Sequence, residues 1–166
     1  MDTKSYVCWF RLDGQDGYLI WQTNGSDGVY VDKNAALAFH DLTSLRAYAK
    51  EAGISIVEEN PVVHNLDQLA QWLLLPNGNM ITADSFLDAW NLFSDVAGSL
   101  RIRFDASTRI TNPVYEKLFY SCNLPSATPE GQTFKPMWSV DETNIMVSVL
   151  SDGLKLFRKA VRFHQR

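Results

Sequence analysis

An α+β fold is predicted for this chain by three observations. Short apolar strands separated by tight-turn dipeptides fill residues 6–32. An amphipathic helical stretch occupies 85–97, and further helical patterns with their own start signals follow it. The 166 residues suit one domain, so 1–166 is read as a single unit, an N-terminal antiparallel β-meander packed against several helices.

Residues 6–12 (YVCWFRL) are rich in aromatic and β-branched side chains and read as a strand. Asp13-Gly14 and Asp16-Gly17 follow as turn dipeptides. Residues 18–23 (YLIWQT) form a second strand, Asn24-Gly25 and Asp27-Gly28 a second turn region, and 29–32 (VYVD) a third strand. Asp13, Asp16, Asp27 and Asp32 gather near these turns. Their spacing lacks the alternating oxygen ligands of a calcium loop, so ordinary turn chemistry accounts for them.

Residues 35–40 are ambiguous in pattern. Asp41 or Thr43 then caps a helix running to about 52, with Leu42, Leu45 and Ala49 on one face and Gly53 as its stop. Residues 54–57 read as a strand ended by Glu58-Glu59-Asn60-Pro61. Asn65 opens a short helix reaching 75, and the break at 76–79 precedes the stretch around which the chain is organised.

That stretch, 85–97 (SFLDAWNLFSDVA), winds at about 100° per residue. Phe86, Trp90, Phe93 and Ala97 fall on one face and form a hydrophobic anchor. Asp84, Asp88, Asn91 and Asp95 fall on the opposite face, an acidic ladder without lysine or arginine. Such a face is turned to solvent or to a basic partner.

Residues 100–104 (LRIRF) fit a strand or a continuation of the helix. Asn112-Pro113 starts another helix, with Tyr115, Leu118, Phe119 and Cys122 along one side. Pro125, Pro129, Gly131 and Pro136 make 123–138 a loop. Ser139 to Glu142 matches a capping box and opens a long helical pattern that includes Ile145, Val149, Leu156, Ala160 and Phe163, weakened at Gly153. Lys155, Arg158, Lys159, Arg162 and Arg166 make its end basic, which suits the negative end of a helix.

The net charge of −4 disfavours nonspecific nucleic-acid binding. It is unevenly spread: residues 1–100 carry 13 acids against 5 bases, and residues 101–166 carry 6 against 10. Either the N-terminal part presents an acidic surface, or the two parts neutralise each other in the fold. Cys8 and Cys122 are expected as free thiols. No stretch reaches the roughly 18 apolar residues of a membrane span, and the N-terminus lacks the apolar region of a signal peptide, so a cytoplasmic protein is expected.

Reactive signatures are missing. The histidines are His40, His64 and His164, without zinc-ligand spacing. Phosphate-binding glycine loops and the nucleophile elbow are absent as motifs. Neither an enzyme nor a cofactor is therefore expected, and no metal ligands are assigned. A pocket holding His64 with carboxylates would favour the alternative of a small enzyme built from scattered residues. A large exposed apolar patch would favour a scaffold or oligomerisation module. A binding surface uses the observed features better. Asp84, Asp88, Asn91 and Asp95 would meet a basic protein, helped by Glu58 and Glu59 or by Asp13 and Asp16. Trp21, Tyr30 or Trp138 would supply aromatic anchors.

Segments 8–23 (CWFRLDGQDGYLIWQT), 64–73 (HNLDQLAQWL) and above all 86–99 (FLDAWNLFSDVAGS) resemble small bacterial immunity proteins. Segments 115–132 and 136–142 fit the same pattern, and the resemblance spans about residues 5 to 160. Within that group the chain is most similar to the immunity proteins of contact-dependent growth inhibition systems. The resemblance implies a cytoplasmic antidote, monomeric or weakly dimeric, that binds the C-terminal domain of a cognate toxin, often a nuclease. It implies no catalysis and no direct contact with nucleic acid or membrane. The family carries no fixed binding residues to transfer, so the acidic positions rest on charge and helical geometry.

Overall fold

The computed structural model describes residues 2–76 and 82–165. Its centre is a mixed seven-stranded sheet: β1 (Lys4–Leu12), β2 (Gln15–Thr23), β3 (Asp27–Val29), β4 (Val31–Asp32), β5 (Ala35–Phe39), β6 (Val63–Asn65) and β7 (Val161–Phe163). The path β4-β5-β2-β1-β6 runs across it, with β3 on β2 and β7 on β5. Among the described residues five helices complete the α+β domain: α1 (Leu42–Glu51), α2 (Leu66–Leu74), α3 (Ala83–Leu100), α4 (Asn112–Ser121) and α5 (Val140–Ala160).

β1 and β2 are joined by the two-residue turn Asp13-Gly14, both at positive φ, as a tight hairpin between twisted strands requires. The Asp67 carboxylate on α2 accepts both turn amides, at 2.6 and 2.8 Å. Asp16-Gly17 does not turn; it continues β2, where Arg11 across the strand pair holds Asp16. The third strand expected at 29–32 is split at Tyr30 into the end of β3 and the short β4. Residues 35–39 are a strand buried on both faces.

Side chains alternate along the strands and build two cores. Leu19, Cys8, Phe10 and Ala38 face α2, α3 and α5, whereas Ile20, Leu37 and Phe39 face α1 through Leu45 and Ala49. The sheet is thus covered on both sides. Two strand pairs are parallel, β1 with β6 and β5 with β7. Neither was expected from the local pattern. The apolar periodicity extended the last helix to Phe163, yet α5 stops at Ala160 and Val161–Phe163 joins the sheet. At 54–57 only Ile56 bridges to β1, rather than a full strand.

Helix boundaries follow capping chemistry. Asp41, Asn65, Thr82 and Ser139 cap α1, α2, α3 and α5 with side-chain oxygens, and Ser139 and Glu142 complete a capping box. Gly53 adopts φ +71° just past α1. α3 ends with Arg101 in the left-handed region, so residues after Leu100 neither continue the helix nor form a strand. Most of the break read at 76–79 lies outside the described residues. α3 is the central element: Phe86, Trp90 and Phe93 are buried along with Leu87, Leu92 and Val96. Gly153 lets α5 approach it closely, since a Cβ there would stand 2.2 Å from the Phe93 ring.

Candidate functional site

The acidic side of α3 is only partly covered: Asp84 and Asp88 are exposed, and Asn91 and Asp95 are half-buried. It forms one wall of a cleft of about 710 Å³, whose other walls come from β1, β2, β3, β6, the segment 59–62 and α4. Asp88, Asn91 and Asp95 line it, with Leu92 beneath. Tyr6, Trp21 and Tyr115 supply aromatic surface, and Glu59 and Asp27 complete its acidic lining. The lining holds four carboxylates, one histidine and no lysine or arginine.

Hydrogen bonds divide the ladder. Asp95 Oδ2 accepts the Trp21 indole N–H at 3.0 Å, tying α3 to β2. Asn91 Oδ1 accepts the Tyr115 hydroxyl at 2.8 Å, tying α3 to α4. The Tyr115 ring is set edge-on against buried Trp90, and the Trp21 ring packs on Tyr6. Among the described residues no hydrogen bond or ion pair reaches the Asp88 carboxylate.

Electrostatics follow from this placement. Burial pushes the Asp88 carboxyl above the ordinary aspartate range; His64 opposes that shift and Asp84 adds to it. Burial also raises Asp95, against the stabilising Trp21 bond, with Asp27 adding to the rise. His64 is held below the ordinary histidine value by burial, although Asp88 pulls it upward. Its Nδ1 is closed to solvent and has no hydrogen-bond partner among the described residues. The buried Cys8 thiol is pushed up to about 12 by burial and then by Asp95 and Asp88, which removes it as a thiolate nucleophile at neutral pH.

The eight residues singled out in the sequence part company here. Asp88, Asn91, Asp95 and Glu59 share the cleft. Asp84 sits one turn before Asp88 in the first turn of α3 and acts on it through charge. Glu58 pairs instead with Arg46 at 3.0 Å, Asp13 with Arg158 at 2.7 Å and Asp16 with Arg11 at 2.7 Å. Those three carboxylates are matched within the fold. Of the aromatic candidates, Trp21 lines the cleft, Tyr30 meets Tyr48, and Trp138 lies under the Lys117 ammonium. Sequence reasoning placed neither Tyr115 nor Asp27 in the site. Asp27 reads locally as a turn residue, and Tyr115 as part of a core stripe.

No group of three or more potential metal ligands occurs among the described residues. His64 and Asp88 both line the cleft and act on each other through charge, among hydrogen-bonding groups and aromatic rings.

No family model matches the chain. No curated protein matches it either. Among solved structures it is similar to the crystal structure of the SatS C-terminal domain in complex with bromine, at 10% identity and a TM-score of 0.51, covering 98% of this chain and 94% of that one. At that identity the likeness is one of fold. No helix among the described residues is long and apolar enough to cross a membrane.

Proposed function

We propose that this chain is an immunity protein of the contact-dependent growth inhibition type: it acts in the cytoplasm, binds a cognate toxin domain and blocks it without catalysis. The toxin domain is basic, and a nuclease fits that charge. The observation that carries this reading is the cleft beside α3, with four carboxylates, aromatic walls and no lining cation. A cavity of that sign attracts a cationic surface over distance and offers it rings to pack on.

The experiment is co-purification with the product of the gene immediately upstream, followed by calorimetry and a nuclease assay. The expected result is a tight one-to-one complex in which toxin activity is lost. An Asp88→Asn/Asp95→Asn double variant should associate more slowly and lose part of its salt dependence. Equal association rates and equal salt dependence would remove the cleft from the interface.

A second reading, a small enzyme, is favoured by one observation: His64 and Asp88 share the cleft. An imidazole beside a carboxylate is a general acid–base arrangement. A small molecule retained through purification, released by His64→Ala, would favour it over the immunity reading.

A further inference from the structure

We propose that Asn24 is a site of spontaneous covalent modification: water replaces its side-chain amide and leaves aspartate or isoaspartate at the tip of the β2–β3 loop. The inference is independent of the immunity reading. Asparagine and aspartate share a weakness when glycine follows. The glycine nitrogen can attack the side-chain carbonyl carbon and close a ring, and no Cβ stands in its way. The fold decides which of these pairs are open to the reaction.

Five such pairs lie among the described residues, and four are closed. The Gly14 N–H donates to the Asp67 carboxylate at 2.8 Å, and Asp13 is paired with Arg158. Asp16-Gly17 and Asp27-Gly28 lie in β2 and β3, in register with partner strands. Asp152-Gly153 is inside α5, where the glycine N–H belongs to the helix ladder. Paired strands and helices must open before their backbone can bend toward the side chain. Asn24-Gly25 is different. It occupies the loop 24–26 between the paired residues Thr23 and Asp27, where the Asn24 N–H donates to the Ser26 carbonyl at 3.1 Å. Asn24, Gly25 and Ser26 are all exposed. Among the described residues nothing bonds the Asn24 carboxamide or accepts the Gly25 N–H. Gly25 sits at φ +74°, with no atom within 4 Å of where a Cβ would stand. Nucleophile, carbonyl carbon and water are therefore free together. Other asparagines lack one of these conditions. Asn60 and Asn112 precede proline, which has no N–H. Asn65 caps α2, and the Asn123 carboxamide is held at both ends by the Phe134 backbone.

The step needs only water. The Gly25 nitrogen bonds to Asn24 Cγ and gives up its proton through solvent; the Cγ–Nδ2 bond breaks, and ammonia leaves with that proton. Water then adds to one of the two ring carbonyls and breaks its bond to the nitrogen. The N–H returns, a carboxylate forms, and its proton passes to solvent. Nothing is oxidised or reduced. Opening at one carbonyl gives aspartate; opening at the other routes the backbone through the side chain as isoaspartate. Either product adds a negative charge close in sequence to Asp27, which lines the cleft.

The test incubates the whole protein at mildly alkaline pH in water enriched in oxygen-18, folded and, in parallel, unfolded in urea. Tryptic peptides are then read by mass spectrometry, with a zero-time digest to subtract conversion during handling. Residues 12–33 form one peptide in which Asn24 is the single asparagine. Asn77-Gly78, which lies outside the described residues, falls in another. Asn24 of the folded protein should exchange NH2 for OH with one heavy oxygen, at a rate within about threefold of the unfolded chain, because an open loop has almost no local unfolding to undergo. Isomerisation of Asp13 should instead run roughly tenfold or more faster in urea, where Asp67 and Arg158 release the turn. Gly25→Ala should slow conversion about tenfold, in urea as well as folded, by setting a methyl beside the attacking nitrogen. An Asn24 that stays intact in the folded protein while the unfolded chain converts would overturn the assignment. So would conversion without uptake of heavy oxygen, or a Gly25→Ala rate equal to that of the parent.

Discussion

The Trp21 indole donates to Asp95 across 74 residues of chain, joining the second strand to the far end of the central helix. A carboxylate that helical geometry assigned to an outward ladder is thus part of the scaffold. Trp21→Phe keeps a ring in place and removes only the donor. The variant should lose about 1–3 kcal/mol of stability, the usual consequence of leaving a part-buried acceptor unmatched. The Asp95 carboxyl should titrate at a higher pH than in the parent, because the bond that stabilises its charged form is gone. Urea denaturation and carbon-detected NMR titration check the two statements.

Asp88 should work against folding at neutral pH. Its folded pKa is raised, so the folded state binds that proton more tightly than the unfolded chain does. The resulting stabilisation is complete below the unfolded aspartate value, about 3.9, and is lost as pH rises through the folded value. Asp88→Asn should therefore be more stable than the parent at pH 7, with the difference closing at acid pH. Chemical denaturation at several pH values measures it, and a loss of stability at pH 7 would contradict the assigned environment.

Gly153→Ala should destabilise the protein although alanine is the better helix former by about 1 kcal/mol. The added methyl would meet the Phe93 ring, and forcing extra volume into a packed helix contact costs about 1–3 kcal/mol. A denaturation midpoint below that of the parent is expected. A midpoint above it would mean that α5 yields without strain.

Trp90→Ala should cost about 3–5 kcal/mol, the range for truncating a large buried aromatic. Trp90 is 1% exposed and supports the Tyr115 ring, whose hydroxyl holds Asn91 in the cleft. Thermal and urea unfolding should show the loss. Near-ultraviolet circular dichroism of the folded fraction should change as Tyr115 loses its packing partner.

Much of the fold was legible because it is local. Asp41, Asn65 and Ser139 cap their helices through oxygens only three residues from the amides they accept, and Phe86, Trp90 and Phe93 meet the core at helical spacing. The parallel strands were not legible. Val63–Asn65 and Val161–Phe163 are three residues long, too short for a periodic signal, and become strands because β1 and β5 offer them open edges. The candidate site was half legible. Helical geometry grouped Asp88, Asn91 and Asp95, but Glu58, Asp13 and Asp16 looked equally available until Arg46, Arg158 and Arg11 were seen beside them.

The sequence by itself determined the α+β class, the capped helices, the β1–β2 hairpin and the acidic face of α3, since each depends on residues within a few positions of one another. Tertiary structure decided which of those acids remain available. Trp21 and Arg158 reach Asp95 and Asp13 from 74 and 145 positions away. Chain separation leaves no local trace of such pairings; they are set when packing brings donor and acceptor together and withdraws them from water. Asp88 lines the same cleft but stays exposed, and no protein donor among the described residues reaches it.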